Sequence, residues 1–435
     1  MLLRWPSGEL RVSPSTEGYA VGKASCPHAG GGTLVAMRML FATTAGTGHF
    51  GPMTSVARAC AEAGHEVRVA APESFASHVT RAGLEHVPFD DVPPEVMGAV
   101  FGRLPSMSPK EANATVVRDV FGRLDAQAAW PRVQEVVDDW APDVILREPC
   151  EFGSLAAAVR SGVPHVEMAI GLGNLQRWAG QVLVDPLGEL DVVAGLDRGS
   201  CAAAMSSAPV FSQVPPSLDI TDQDGSGTGD DAAGGIPSVM RYRDGEASTR
   251  SGTLPTTWGD SERPLVYVTF GSVTAGFEEL STVFRLSLAA LADLPVRVLL
   301  TTGHAGDPET LRPWPRNAHV EQWWPQDDVM PLVSAMVGHG GFGTMMSALA
   351  AGVPQVLVPL FAFDQEVNAQ RIDEVGAGVR LGGRQTAMSG LAEAVNRVLD
   401  DAGVRSRAEA LADEIAGLPD ASEVVRSVEA IAAGR

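Results

Sequence analysis

The sequence predicts an α/β protein built from two similar halves, each with a parallel sheet. Short apolar runs alternate with amphipathic stretches of helical length from Met37 onwards, and the same alternation restarts at Pro264. A strand, a helix and a second strand in this order form a βαβ unit, whose strands are parallel and whose crossover is right-handed. We therefore expect two doubly wound domains.

The elements of the first half follow from their boundaries. The run Met37 to Thr44 is a buried strand that ends in a glycine-rich turn. Pro52 is expected to open the next helix, because proline fits the first helical turn, and Gly64 follows its end. Further strands are predicted at His65 to Pro72 and Asp143 to Leu146, the second followed by a helix and another strand.

The second half repeats this order. The predicted strands are residues 265–272, 296–303, 336–341 and 354–360, and helical patterns at 281–294 and 344–352 lie between them.

The chain has 435 residues, which at roughly 150 residues per domain predicts two or three domains. Stretches rich in Gly, Asp, Pro and Ser indicate a loop and a linker between the two halves. We expect an N-terminal extension outside the fold over 1–36, a first domain over 37–240 with a flexible loop at about 219–236, a linker over 241–263, and a second domain with a C-terminal helix over 264–435.

Composition excludes several classes of protein. The net charge of −21 repels phosphate backbones, so we expect no nucleic-acid partner. No apolar run reaches the roughly 18 residues of a membrane span, and the N-terminus lacks the apolar segment of a signal peptide. The four cysteines form no C-x-x-C pair, which argues against a disulfide framework or a zinc site and fits a reducing cytoplasm.

The first candidate site is the turn after the first strand. Gly46 to Gly51 matches G-x-G-x-x-G, and Glu73 stands where a dinucleotide fold has its ribose-binding acid. An NAD(P) or flavin oxidoreductase is therefore one alternative, although residues 338–343 match the same pattern. His49 lies at the carboxyl end of the strand, where an imidazole can act as a general base; a helix-capping histidine is the alternative interpretation.

A carboxylate is expected at the same sheet edge. Glu148 directly follows a predicted strand, and a carboxylate bonded to one imidazole nitrogen would orient the ring of His49. Glu151 is the neighbouring competitor, and an exposed loop acid is the alternative for either residue.

A second glycine-rich turn predicts an anion site. Gly340, Gly341 and Gly343 allow close approach to the backbone at a helix N-terminus, where free N–H groups attract a diphosphate. His339 and Thr344 add side-chain donors.

Further polar and aromatic residues accompany this turn. Trp323 or Trp324 could offer a flat face to a nucleobase, with core packing as the alternative. Asp364 and Gln365 follow the next strand and could bind sugar hydroxyls, although Asp364 could also be a helix cap.

Together these motifs resemble the inverting GT-B glycosyltransferases, which use nucleotide sugars, and in particular the actinobacterial branch that decorates antibiotics. The similarity covers nearly the whole chain from Met37. The matching segments are Gly48 to Pro52, Val266 to Ser272, Trp323 to Gln326, His339 to Thr344, Ala350 to Pro359, and Asp364 with Gln365.

The resemblance implies two Rossmann-like domains facing across a cleft and a role for each matched residue. His49 falls on the catalytic base and Glu148 on its partner acid, which is commonly Asp in the family. The implied sugar-binding pair is Asp364 and Gln365. The implied donor nucleotide and diphosphate residues are Gly271, Ser272, Trp323, Gln326, His339, Gly340, Gly341, Gly343 and Thr344.

The implied reaction moves a sugar or deoxysugar from a TDP- or UDP-sugar to a lipophilic acceptor such as a polyketide, with no metal and no other cofactor. We expect the acceptor in the first half, where residues 92–107 and 168–184 carry Phe101, Met168 and Trp178; ordinary core packing is the alternative for these three.

Several questions stay open at this stage. A C-glycosyltransferase acting on an aromatic polyketide would use the same base. The pair Asp222 and Asp224 matches a metal-binding D-x-D, but its Gly/Asp-rich surroundings favour a solvated linker. A non-catalytic helper would be expected to lack the base. The sequence leaves TDP against UDP, and a homodimer or an activator partner, undecided.

Overall fold

The computed structural model describes residues 36–219, 238–245, 252–272, 274–276, 280–382 and 388–434. The described strands form two all-parallel sheets, one of seven strands and one of six, so the predicted fold class is confirmed. Three predicted features lie outside the described residues: the extension up to residue 35, nearly all of the 219–236 loop, and the D-x-D pair at 222–224.

The first sheet has the order β3-β2-β1-β4-β5-β6-β7. Its interior strand β1 is fully buried from Met39 to Ala42, as expected for a parallel strand covered by helices on both faces. The strands are β1 Arg38–Ala42, β2 Glu66–Pro72, β3 Glu85–Phe89, β4 Val144–Arg147, β5 His165–Met168, β6 Val210–Ser212 and β7 Val239–Arg241.

Most helices of the first domain cover this sheet, and one continuous stretch contains a π-helical segment, Val116–Asp125. The α-helices are α1 Thr47–Glu62, α2 Ala76–Arg81, α3 Pro94–Phe101, α4 Pro109–Thr115, α5 Ala126–Trp140, α6 Gly153–Ser161, α7 Gly173–Val193 and α8 Ser200–Ser207.

Helix α1 begins five residues before the predicted start at Pro52. Proline cannot donate to the carbonyl four residues earlier, which here belongs to Gly48. Gly48 is exposed in the first helical turn, so this carbonyl can be hydrated, and the helix tolerates Pro52. The earlier start places His49 inside the first turn of α1.

The second sheet has the order β10-β9-β8-β11-β12-β13. Its strands are β8 Leu265–Thr269, β9 Arg297–Thr301, β10 Ala318–Glu321, β11 Ala335–Gly338, β12 Gln355–Leu357 and β13 Gly378–Arg380. The α-helices that follow the first domain are α9 Thr282–Leu291, α10 Gln326–Val329, α11 Phe342–Ala350, α12 Phe363–Glu374, α13 Leu391–Asp400, α14 Ala402–Ala416 and α15 Ala421–Ala432.

Two sets of contacts join the halves. Helix α15 comes last in the chain but buries Val424, Val425 and Val428 in the core of the first domain. Its Glu429 accepts a hydrogen bond from His65 at 3.0 Å. In the other direction, three residues of the first domain lie in the core of the second: Leu172, Val214 and Leu218. No described helix is long and apolar enough to cross a membrane.

Candidate active site

His49 lies at the junction of β1 and α1, on the carboxyl edge of the first sheet. Gly46 precedes the helix, and a Cβ at this position would lie 3.0 Å from His49 Cδ2. The absence of a side chain at Gly46 therefore lets the imidazole fold back over the turn. The His49 side chain is 24% exposed, so the ring is anchored on one side and open to the cleft on the other.

The structure brings Glu148 to the His49 ring. Glu148 directly follows β4, which pairs with β1, and its Oε2 lies 3.2 Å from His49 Nδ1. The Thr44 hydroxyl donates to Glu148 Oε1 at 2.9 Å and lies 3.2 Å from the same Nδ1. Sequence reasoning missed Thr44, although it follows β1 in the same turn as His49.

This geometry defines the tautomer of His49. An ionised carboxylate only accepts hydrogen bonds, so Nδ1 carries the hydrogen and Nε2 keeps the lone pair of a base. Burial favours the neutral ring, but the charge and hydrogen bond of Glu148 outweigh burial, and the pKa of His49 is raised above its usual 6.5. The negative charges of Asp364 and Asp125 act in the same direction.

Glu148 is completely buried and still ionises readily. Burial opposes its charge, but His49 and the backbone N–H groups of Cys150 and Thr44 lower its pKa overall. The Cys150 N–H donates to Oε2 at 2.7 Å and the Thr44 N–H to Oε1 at 3.1 Å. The competitor Glu151 instead accepts from the Ser154 N–H at 3.0 Å, at the start of α6.

The π-helical segment supplies a second wall of this site. The Phe121 ring contacts the His49 ring with centroids 5.4 Å apart. Asp125, four residues later, is half-buried; burial first and then the charge of Glu148 raise its pKa to about 7. Neither residue was predicted, and no periodic pattern in the sequence marks a π-helix.

Across the cleft, the glycine-rich turn after β11 encloses His339. A Cβ at Gly341 would lie 2.6 Å from His339 Nε2, and one at Gly271 would lie 2.8 Å from Cε1. Gly340 has φ +87° and leaves no room for a side chain beside the Gln365 carbonyl. Gly303, after β9, similarly abuts the Gly271 carbonyl and was not predicted.

His339 is neutral in this setting. Burial lowers its pKa to about 4, and its Nδ1 is buried with no hydrogen-bond partner in the described part of the chain. A neutral imidazole can donate one hydrogen bond to a ligand but contributes no positive charge. Gly341 is the N-cap of α11, and the free N–H groups of the first turn lie beside this histidine.

The two adjacent tryptophans differ in their surroundings. Trp323 is 53% exposed and stacks on His304 at 5.9 Å, so one flat ring is accessible. Trp324 donates from Nε1 to the Thr253 carbonyl and packs on the second-domain core. Ser272 lies 3.4 Å from the Thr47 hydroxyl at the N-terminus of α1.

Helix α12 begins one residue before the predicted sugar-binding pair. Asp364 is half-buried; burial first raises its pKa, while the charge of His49 across the cleft lowers it. Gln365 is 3% exposed, and its Oε1 accepts from the N–H groups of Leu360 and Phe361. The amide nitrogen of Gln365 takes no part in these two hydrogen bonds. Gln326, the other predicted donor residue, donates to the Thr344 hydroxyl at 2.9 Å.

The three predicted acceptor residues lie in different surroundings. Met168 is fully buried in the first-domain core at the end of β5, which favours the core-packing alternative over an acceptor-pocket role. A short strand buried on both faces has no alternation that would mark Met168 as internal. Phe101 is half-buried at the end of α3. Trp178 of α7 contacts Phe363 across the cleft with ring centroids 5.4 Å apart.

One cluster in the described residues has the ligand types of a metal site: His49, Glu148 and Cys150, whose ligand atoms lie within 4.8 Å of one another. Its fit to a cation is poor. Both Glu148 oxygens already accept backbone hydrogen bonds, and burial followed by the charge of Glu148 raises the pKa of the Cys150 thiol well above 9.

Comparison with known proteins identifies the chain. Residues 58–229 and 285–431 match the N-terminal and C-terminal domain models of the erythromycin biosynthesis protein CIII-like family. The L-demethylnoviosyl transferase of Streptomyces niveus is 32% identical over 403 residues, covering 91% of this chain and 98% of that protein.

Solved structures agree. The glycosyltransferase SnogD from Streptomyces nogalater superimposes with a TM-score of 0.69 at 25% identity, covering 92% of this chain and all of SnogD. VinC, a glycosyltransferase crystallised with DTDP, gives a TM-score of 0.70 at 23% identity, covering 92% of this chain and all of VinC.

The chain is therefore a glycosyltransferase with the GT-B fold. It belongs to the erythromycin biosynthesis protein CIII-like family of antibiotic glycosyltransferases. This assignment decides against the oxidoreductase interpretation of the first glycine-rich turn.

Proposed function

We propose that the protein transfers a deoxysugar from a TDP- or UDP-sugar to a hydroxyl group of a lipophilic natural-product acceptor, with inversion at the anomeric carbon. The observation that carries this proposal is the His49–Glu148 pair, 3.2 Å apart at the edge of the cleft. The glycine cradle around His339 lies in the opposite domain.

His49 is the general base in this proposal. An acceptor hydroxyl is a poor nucleophile at neutral pH, and Nε2 of His49 removes its proton as the oxygen attacks the anomeric carbon. Glu148 holds the ring in the required tautomer and stabilises the imidazolium that forms. Thr44 and the Cys150 N–H keep Glu148 ionised and fixed.

The leaving diphosphate binds beside His339, at the glycines that surround it: Gly271, Gly340 and Gly341. Negative charge gathers on it as the glycosidic bond breaks, and the free N–H groups at the start of α11 face such a charge favourably. His339 adds one hydrogen bond, and Trp323 stacks on the nucleobase. Asp364 and Gln365 lie at the start of α12 and are proposed to bind the sugar. With this charge stabilisation the reaction needs no metal.

Calorimetric titration of the full chain with TDP, UDP and NADPH, with and without EDTA, tests the donor site. We expect micromolar binding of TDP or UDP that EDTA does not change. NMR analysis of the product then gives the anomeric configuration and shows whether the new bond is to oxygen or carbon. Retention of configuration, or full activity in a His49→Ala variant, would overturn the proposed mechanism.

A further inference from the structure

The π-helical segment carries two aspartates with opposite surroundings. Asp119 is paired with three guanidinium groups, those of Arg118 at 2.9 Å, Arg123 at 2.6 Å and Arg103 at 3.8 Å. Asp125, six residues later, makes no hydrogen bond or ion pair within the described part of the chain. The acids whose charges act on Asp125 are Glu148, Glu151 and Asp91, and each of them disfavours a negative charge on its carboxyl group.

Because the Asp125 carboxyl is half-buried and has no partner among the described residues, it is free to accept a hydrogen bond from a ligand. Asp125 shares a helix face with Phe121, since residues four apart lie on the same side. Phe121 contacts the His49 ring at 5.4 Å, and the charge of Asp125 acts on that ring. Asp125 therefore lies on the same wall of the site as Phe121, which contacts the proposed base.

The position of this segment is fixed by packing. A Cβ at Gly122 would lie 2.9 Å from side-chain atoms of Leu183 and Pro186 in α7, so the segment lies directly against that helix. Asp125 is thus held on a rigid wall of the first domain, opposite the nucleotide-binding half. A π-helical segment is itself frequent at functional sites.

We propose that Asp125 determines acceptor specificity: its carboxyl group accepts a hydrogen bond from a second donor group of the acceptor, adjacent to the hydroxyl that His49 deprotonates. The acceptor class is then an aromatic or alicyclic compound with two neighbouring donors, for example a vicinal diol, rather than an isolated hydroxyl. This inference rests on the proposed function, because it takes His49 as the base.

The test compares two probes, 2-naphthol and 2,3-dihydroxynaphthalene, binding to the full chain saturated with TDP, or with UDP if that nucleotide binds instead. The measurement is made at about pH 8, above the pKa of about 7 of Asp125, so that its carboxyl is ionised. A hydrogen bond to a charged group then predicts a preference for the diol of roughly 10- to 100-fold in Kd. Asp125→Leu should abolish this preference while leaving 2-naphthol affinity within about 3-fold. Asp125→Asn, which keeps an acceptor oxygen, should retain part of it.

Asp139→Asn is the matched control, because Asp139 is an exposed acid on the solvent side of α5. It should behave as the wild type. If the leucine variant does not fold, the asparagine variant decides, with the His49 ring titrated by NMR: its pKa should fall in Asp125→Asn and stay constant in Asp139→Asn. A wild-type protein without diol preference, or an Asp125→Leu variant that retains it, overturns the proposal.

The two proposals fail separately. A His49→Ala variant should lose sugar transfer and keep the diol preference. If that variant still transfers sugar, the assignment of the base is wrong, whatever Asp125 does. If it is inactive but Asp125→Leu still prefers the diol, only the role of Asp125 is wrong.

Discussion

Replacing Glu148 by Gln separates the charge of the pair from its shape. In the wild type, Glu148 Oε2 lies 3.2 Å from His49 Nδ1. Coulomb's law at an effective dielectric constant of 20 gives roughly 5 kcal/mol for unit charges at this separation. This value is an upper bound because the ring is 24% exposed. We expect the pKa of His49 to fall in Glu148→Gln, because the substitution removes the negative charge beside the ring.

The sign of the effect on the rate follows from the role of a base. His49 must be neutral to accept a proton, so its raised pKa places the acid limb of the wild-type pH–rate profile above pH 6.5. In Glu148→Gln the acid limb should move to lower pH. The plateau rate should nevertheless fall by about 10²- to 10⁴-fold, because the imidazolium loses its counter-charge and Nδ1–H its acceptor.

The assay is the pH dependence of kcat between pH 5 and 9, measured with a donor and acceptor that the wild type turns over. Glu148→Asp is the control, since it keeps the charge on a shorter side chain and should recover part of the rate. Each Glu148 oxygen accepts a backbone N–H, so a glutamine must turn its NH2 toward one of them at a cost of about 1–3 kcal/mol. The melting temperature of each variant reports this loss separately. An unchanged acid limb, or a plateau within about 3-fold of the wild type, would refute the pairing.

Three further results are expected. Gly341→Ala should weaken TDP or UDP binding at least about 10-fold, because its Cβ would displace the His339 imidazole, whose Nε2 lies 2.6 Å away. Gly382→Ala, with open space around it, is the control. Equal Kd values for the two variants would contradict the proposed diphosphate site around His339. Trp323→Ala should weaken nucleotide binding by about 1–3 kcal/mol, whereas Trp324→Ala should mainly lower the melting temperature, so the reverse pattern would exchange their roles. EDTA should leave the rate unchanged, and a loss restored by a divalent cation would show a metal requirement.

The sequence was most informative where chemistry lies at strand ends. His49, Glu148 and the turn at 339–344 each follow a buried strand, and the carboxyl ends of parallel strands meet at one sheet edge. The predicted neighbourhood of His49 and Glu148 therefore needed only the strand positions. The predicted start of α1 was wrong because proline is a strong signal for a first helical turn, whereas α1 begins at Thr47 and contains Pro52 in its second turn.

Other parts of the site depend on packing that no local pattern records. The segment that carries Phe121 and Asp125 packs at Gly122 against Leu183 and Pro186 of α7, more than 60 residues later in the chain. In the sequence, Met168 is an apolar residue that could equally line a pocket or pack in the core, and only its burial in the structure places it in the core. The crossing of α15 onto the first domain is likewise set by tertiary contacts.

The two histidines that face the cleft have pKa values shifted in opposite directions, and this difference suits the proposed reaction. On the acceptor side, Glu148 and Asp125 favour the cationic form of His49, which is the form the base reaches as it takes the proton, and Asp364 does so from the opposite domain. On the donor side, His339 is kept neutral by burial, with a pKa of about 4. A cation there would bind the intact donor and the departing diphosphate alike, whereas N–H dipoles at the start of α11 interact more strongly as charge gathers on the leaving group. The two first-domain acids that raise the pKa of His49 thus lie on the opposite side of the cleft from His339, and Asp364 adds its charge from the start of α12.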